Sequence, residues 1–120
     1  MDGTVTDQQA HAWLQEIADA GWVSLHYDNP GLGDDNWCEI YGGGYLRFQM
    51  PFSQPNNRGI WSTADARFTG LQATKLVYFG IWTKAHKGWI RAYGELPQPK
   101  VVHNGGGYVI PQGELAISIG

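Results

Sequence analysis

Residues 26–47, HYDNPGLGDDNWCEIYGGGYLR, constrain this chain more than any other stretch. A short apolar run over residues 22–27 stops at Asp28-Asn29-Pro30-Gly31. A polar loop follows, then Glu39, then Gly42-Gly43-Gly44. Tyr45-Leu46-Arg47 opens a new apolar run. Asp, Asn, Pro and Gly in such clusters set turns, each through its own backbone preference. No catalytic chemistry needs this order of residues. It predicts two strands pinned by demanding turns, a rigid β scaffold that binds or assembles.

The rest of the chain keeps that rhythm. Thr6-Asp7-Gln8-Gln9 forms a capping box, and Ala10, Trp13, Leu14, Ile17 and Ala18 follow helical spacing. Gly21 stands where a left-handed helix end is usual. A helix is therefore predicted over about residues 7–20. Beyond Gly21 the period changes to two. Strands are predicted at 22–27, at 45–50 and at 64–68, with a short edge strand at 37–41. Residues 51–59 read as a long polar loop, and Gly70 as a break. KLVYFGIW, residues 75–82, reads as a central strand buried on both faces. Residues 89–96 should pair with it as a hairpin and end at Pro97 and Pro99. Residues 108–110 and 115–119 close the chain.

Seven or eight short strands with turns every 8–12 residues predict a mainly β fold. The expected architecture is one domain over residues 1–120. It is an antiparallel β-sandwich or jelly roll over about 22–119 with one N-terminal amphipathic α-helix. At 120 residues the chain is long enough for a sizeable core, and no repeat divides it.

Net charge is −3, and the eight Lys and Arg residues are scattered. Nucleic acid needs a concentrated basic footprint, so none is expected as a partner. No apolar run approaches the ~20 residues of a membrane span, so no membrane is expected. The N-terminus lacks the basic and apolar regions of a signal peptide. Cys38 is the single cysteine, which leaves no intrachain disulfide. A reactive thiol there would need a paired histidine.

His11, His26, His86 and His103 form none of the usual zinc spacings, so ordinary hydrogen-bonded or solvated imidazoles are expected. Asp28, Asp34, Asp35 and Asn36 crowd one loop and are candidates for calcium, although acidic turns are common for local reasons. Glu39, Asp65, Glu95 and Glu114 show no paired-acid motif, and no GxSxG elbow exists. The two triple-glycine runs lack the Lys-Ser/Thr of a phosphate loop and read as bulges or left-handed turns. No cofactor is expected, and the chain is read as no enzyme.

Six tryptophans exceed what one small core needs. Trp13, Trp37, Trp61, Tyr45, Arg47, Trp89 and Tyr108 are the candidate interface residues, because such side chains are enriched where proteins meet. Exposed rings also suit sugar faces, which keeps a carbohydrate-binding module open.

The segments also resemble, in order, a family of small tailed-bacteriophage virion proteins, described as tail fibre or minor virion proteins. That pattern has a helix and a strand ending near His-x-x-x-Pro-Gly, here His26 to Gly31. An acidic residue then precedes Gly-Gly-x-Tyr-x-Arg, here Glu39 and Gly43 to Arg47. Tyr78-Phe79-Gly80-Ile81-Trp82, Gly94-Glu95-Leu96-Pro97 and residues 110–119 complete it. The chain departs from the pattern at Tyr27-Asp28-Asn29, where Thr-Ala-Asp is more usual, and in its long 51–59 segment. The resemblance carries no catalytic residues. It implies a non-enzymatic structural protein of the virion, assembled in the host cytoplasm among other virion proteins. The expected form is a homotrimer, either on the capsid as a decoration or minor capsid protein, or in the tail as a fibre or tip component. Attachment to a host-surface glycan is the alternative.

Overall fold

The computed structural model describes residues 6–31 and 38–119. The chain is mainly β, with antiparallel sheets and one N-terminal helix. Helix α1 spans Asp7–Ala20, and the strands are β1 (Trp22–His26), β2 (Phe48–Gln49), β3 (Gly59–Trp61), β4 (Ala66–Leu71), β5 (Thr74–Trp82), β6 (Ile90–Val102), β7 (Gly106–Ile110) and β8 (Ala116–Ser118). The capping box forms: the Gln9 amide donates to Thr6 Oγ1 at 3.1 Å, and the Thr6 amide donates to Gln9 Oε1 at 3.3 Å. Gly21 ends the helix at φ 70° and donates to the Ile17 carbonyl. Ala10, Leu14 and Ala20 are the buried residues of the helix.

One sheet has the order β2-β1-β5-β6, and two ribbons pair β3 with β8 and β4 with β7. β1 pairs with β5 so that Ser24 faces Gly80 and Leu25 faces Phe79. Alternation then sends Val23, Leu25, Phe79 and Ile81 to one side. There they share a core with Ala66, Phe68, Tyr108 and Ile110 of the β4-β7 ribbon. Two layers across one apolar core is sandwich packing. Residues 79–82 of the central strand are all buried.

Several expected boundaries move. β6 does not stop at Pro97 and Pro99 but runs on to Val102. Its register shifts between Leu76 and Tyr78, so residues 96–99 stand opposite Val77 alone. A bulge on an edge strand has no ladder bond to lose, so both prolines are tolerated. Residues 51–59 are not simply a loop. The Asn56 amide donates to the Gly59 carbonyl at 2.9 Å and the Gly59 amide returns the bond at 3.0 Å. With Asn57 at φ 50° and Arg58 at φ 61°, this is a type I′ hairpin turn. Gly70 bends β4 at φ 64° without ending it. In the 37–41 segment the described backbone makes one bridge, Glu39 to His26, and of the 45–50 strand only Phe48–Gln49 pairs. Both segments turn instead to side-chain contacts.

Candidate functional site: the outer face and its loop

The core uses one side of β1 and β5. Their other side carries Ser24, His26, Gly80 and Trp82. Trp82 Nε1 donates to Ser24 Oγ at 2.7 Å, and Ser24 Oγ lies 2.6 Å from His26 Nε2. The Cys38 thiol gives its one hydrogen to the Asp28 carbonyl at 3.3 Å, so its sulfur can only accept from the ring. Nε2 of the neutral imidazole then accepts from the serine hydroxyl. The imidazole proton is on Nδ1, facing Cys38 Sγ at 3.4 Å. Burial lowers the His26 pKa to about 4, against the pull of Glu39 and with the push of Arg47, so the ring is neutral at pH 7. Gly80 makes the layer possible. A Cβ there would stand 2.7 Å from Ser24 Oγ and 3.0 Å from His26 Nε2.

The histidine partner that a reactive cysteine needs is thus present. Cys38 is nevertheless fully buried, and its thiol hydrogen is held by a carbonyl. Here the pair fastens a loop to the sheet.

A second layer covers the first. Arg47 grips Glu39 with two bonds of 2.8 Å, Nε to Oε2 and Nη2 to Oε1. Both side chains are buried, and the guanidinium lies 4.1 Å from the Trp82 ring centroid. Arg47 Nη1 donates to the carbonyls of Lys84 and Lys87 at 3.0 and 2.7 Å, which ties in the β5–β6 turn. Tyr45 Oη donates to Glu39 Oε2 at 2.6 Å and accepts from the Leu25 amide at 3.1 Å. Burial, with the Glu39 carboxylate beside it, pushes the Tyr45 phenol well above its usual pKa. Between these anchors the glycines turn the chain. Gly42 and Gly43 have φ 79° and 56°, and the Gly44 amide donates to the Gly70 carbonyl at 2.7 Å. The run is turn geometry fitted against β4. The loop carries two outward side chains, Tyr41 and Leu46, 78% and 79% exposed. Sequence reasoning placed both in strands. The one available signal was that Leu46 is the variable position between Tyr45 and Arg47 in the Gly-Gly-x-Tyr-x-Arg motif of the resemblance.

The expected interface residues divide. Trp13, Trp61 and Trp89 are exposed, Trp89 by 59%. Arg47 and Tyr108 are buried, and Tyr45 is half-buried. These three are engaged inside the chain: Arg47 and Tyr45 by Glu39, Tyr108 by the core and by the Gln98 carbonyl, to which its hydroxyl donates at 2.8 Å. Tyr108 turns inward because its register opposite Phe68 puts the ring on the core side of β7. Trp37 lies outside the described residues, as do Asp34, Asp35 and Asn36 of the calcium candidates. Asp28 is described, and its Oδ1 accepts from the Asn29 amide at 2.8 Å. Among the described residues no group of three or more His, Cys, Asp or Glu side chains is placed to hold a metal.

The scaffold is antiparallel, its buried polar side chains are engaged in its own packing, and Trp13, Trp61 and Trp89 stand on its surface. The chain belongs to a tailed-phage virion family: the model described as Podophage GP4 fiber I protein gp80 matches residues 16–118. No curated protein matches it.

Proposed function

We propose that this protein is a non-enzymatic structural component of a podophage virion, of fibre type, held to its neighbours through exposed aromatic side chains. The family match over residues 16–118 carries this reading. The burial of His26, Cys38, Glu39 and Arg47 supports it, because groups suited to chemistry are withdrawn from solvent. Trp13, Trp61 and Trp89 are the contact residues on this reading. The description of the family as a fibre favours the tail over a decoration site on the capsid. Identical copies would close about a rotation axis, as a trimer in our reading, since a heterologous contact that fails to close makes open filaments. Assembly would take place in the host cytoplasm.

The test is localisation on the particle. Gold-labelled antibody or electron-microscopic reconstruction should place the protein on the tail, and label on the capsid shell would move it to the decoration role. Purified virions free of the protein would sink the reading altogether. Sedimentation of the purified chain should give three times the monomer mass.

A carbohydrate-binding role has one observation behind it. A recess of about 290 Å³ is lined by Trp13, Glu16, Ile17, Arg91 and Ile119, which sets a half-exposed indole beside a carboxylate and a guanidinium. That combination can stack on a sugar ring and bond its hydroxyls. A glycan array giving no signal for wild type, or equal signals for wild type and Trp13→Ala, removes this role.

A further inference from the structure

Tyr41 and Leu46 are the most exposed large apolar side chains among the described residues. They are also among the most firmly based. The loop beneath them is fixed by the buried Glu39–Arg47 pair, by the Tyr45 hydroxyl and by the bond from Gly44 to Gly70. A buried ion pair is a poor source of net stability compared with apolar packing, and its best-attested use is to impose one geometry. Here the imposed geometry holds two apolar groups out in water.

Their surroundings have relief and charge. A recess of about 210 Å³ lies between Tyr41, Leu46, Ala85 and His86. Another of about 320 Å³ lies on the far side of Tyr41, against Tyr27, Gln72 and Thr74. The rim on one side is the β5–β6 turn, whose Lys84 and Lys87 carbonyls bind Arg47. Arg47, Arg58, Arg67 and Arg91 each pair with a carboxylate. Lys84 and Lys87 are exposed and make no ion pair among the described residues. Apolar knobs inside a charged rim reproduce the anatomy of a protein contact. Lysines without a carboxylate of their own among the described residues, beside exposed apolar groups, call for a partner surface that brings carboxylates.

We propose that Tyr41 and Leu46, with Lys84 and Lys87 at their edge, dock onto another virion protein that offers an apolar recess rimmed by carboxylates. The proposal rests on the virion reading above, and names the contact.

The test supplies tagged copies of the chain in infected cells beside the untagged wild type, and measures the tagged fraction in purified virions. Tyr41→Ser with Leu46→Ser should lower incorporation about tenfold or more relative to the tagged wild type, the scale of losing central contacts. Lys84→Glu with Lys87→Glu should lower it as well. Circular dichroism, melting temperature and sedimentation mass of both variants should match wild type, since these side chains stand in solvent. Incorporation of both variants at the wild-type ratio overturns the proposal. So does a reduced sedimentation mass, which would assign the face to a second copy of this chain. Binding of wild type to phosphatidylglycerol vesicles that Y41S/L46S abolishes, with incorporation unchanged, would assign it to an anionic lipid surface and likewise overturn it. A tagged wild type that never enters virions sinks the functional reading itself, a distinct outcome.

Discussion

Gly80 sits where the central strand has no space for a methyl group, and that absence explains the FGIW run. The hydroxyl of Ser24 and the rings of His26 and Trp82 close over its Cα. Gly80→Ala forces these groups apart and should destabilise the fold by about 1–3 kcal/mol, the range for overpacking. Urea denaturation reads this directly, and an unchanged midpoint would mean that the polar layer is soft. His26 supplies a pH signature. Its folded pKa, about 4, is below the value of 6.5 expected when unfolded. Above pH 6.5 neither state carries the proton and the protein has its full stability. As the pH falls from 6.5 towards 4 the unfolded chain gains a proton that the folded one refuses. Stability then drops by at most about 3 kcal/mol and levels off below the folded pKa. Carboxylates titrate in the lower part of this window too, so the measure is the difference between wild type and His26→Gln. Parallel stability curves between pH 7 and 4 would refute the assignment.

At the scale of elements, the loop over residues 39–47 behaves as a part of the sheet although little of it is strand. Its hold is Glu39 with Arg47. Glu39→Gln leaves a buried guanidinium without its charge partner, which should cost about 3–5 kcal/mol. Replacing both, with Glu39→Leu and Arg47→Met, should recover much of that loss, because the charge and its need for a partner leave together. A double variant as unstable as the single one would show that the Arg47 bonds to the Lys84 and Lys87 carbonyls matter more than the ion pair. The helix has a simpler weak point, since Thr6→Ala removes a formed cap and should cost about 1 kcal/mol in thermal unfolding. Elements written in local rules were legible in the sequence. Capping box, apolar stripe and terminal glycine lie within a few residues of one another and gave α1. The continuous apolar run gave β5. Elements set by distant partners were misread. Pro97 and Pro99 look like a stop until β6 is known to be an edge strand with a bulge. Asn57-Arg58 looks like loop until Gly59 is seen to exchange two bonds with Asn56.

At the scale of the molecule, one core cluster among the described residues joins the four-stranded sheet to the β4-β7 ribbon. Unfolding should therefore be one cooperative transition, and tryptophan fluorescence and far-ultraviolet circular dichroism should give coincident curves. Separate midpoints would show that the layers come apart independently. The sequence by itself determined the class of this protein. Its turns forced short antiparallel strands, its period shift separated helix from sheet, and its ordered motifs carried the family. These are local properties of the backbone and of spacing along it. Only the tertiary structure decided the use of each conspicuous side chain. Tyr45, Arg47 and Tyr108 have the character of interface residues, yet register and the Glu39 carboxylate turn them inward. Tyr41 and Leu46 have the character of strand residues, yet the same ion pair and the left-handed glycines turn them out. Which way a side chain faces depends on what packs against it from far along the chain, and that information exists only once the sheets have closed.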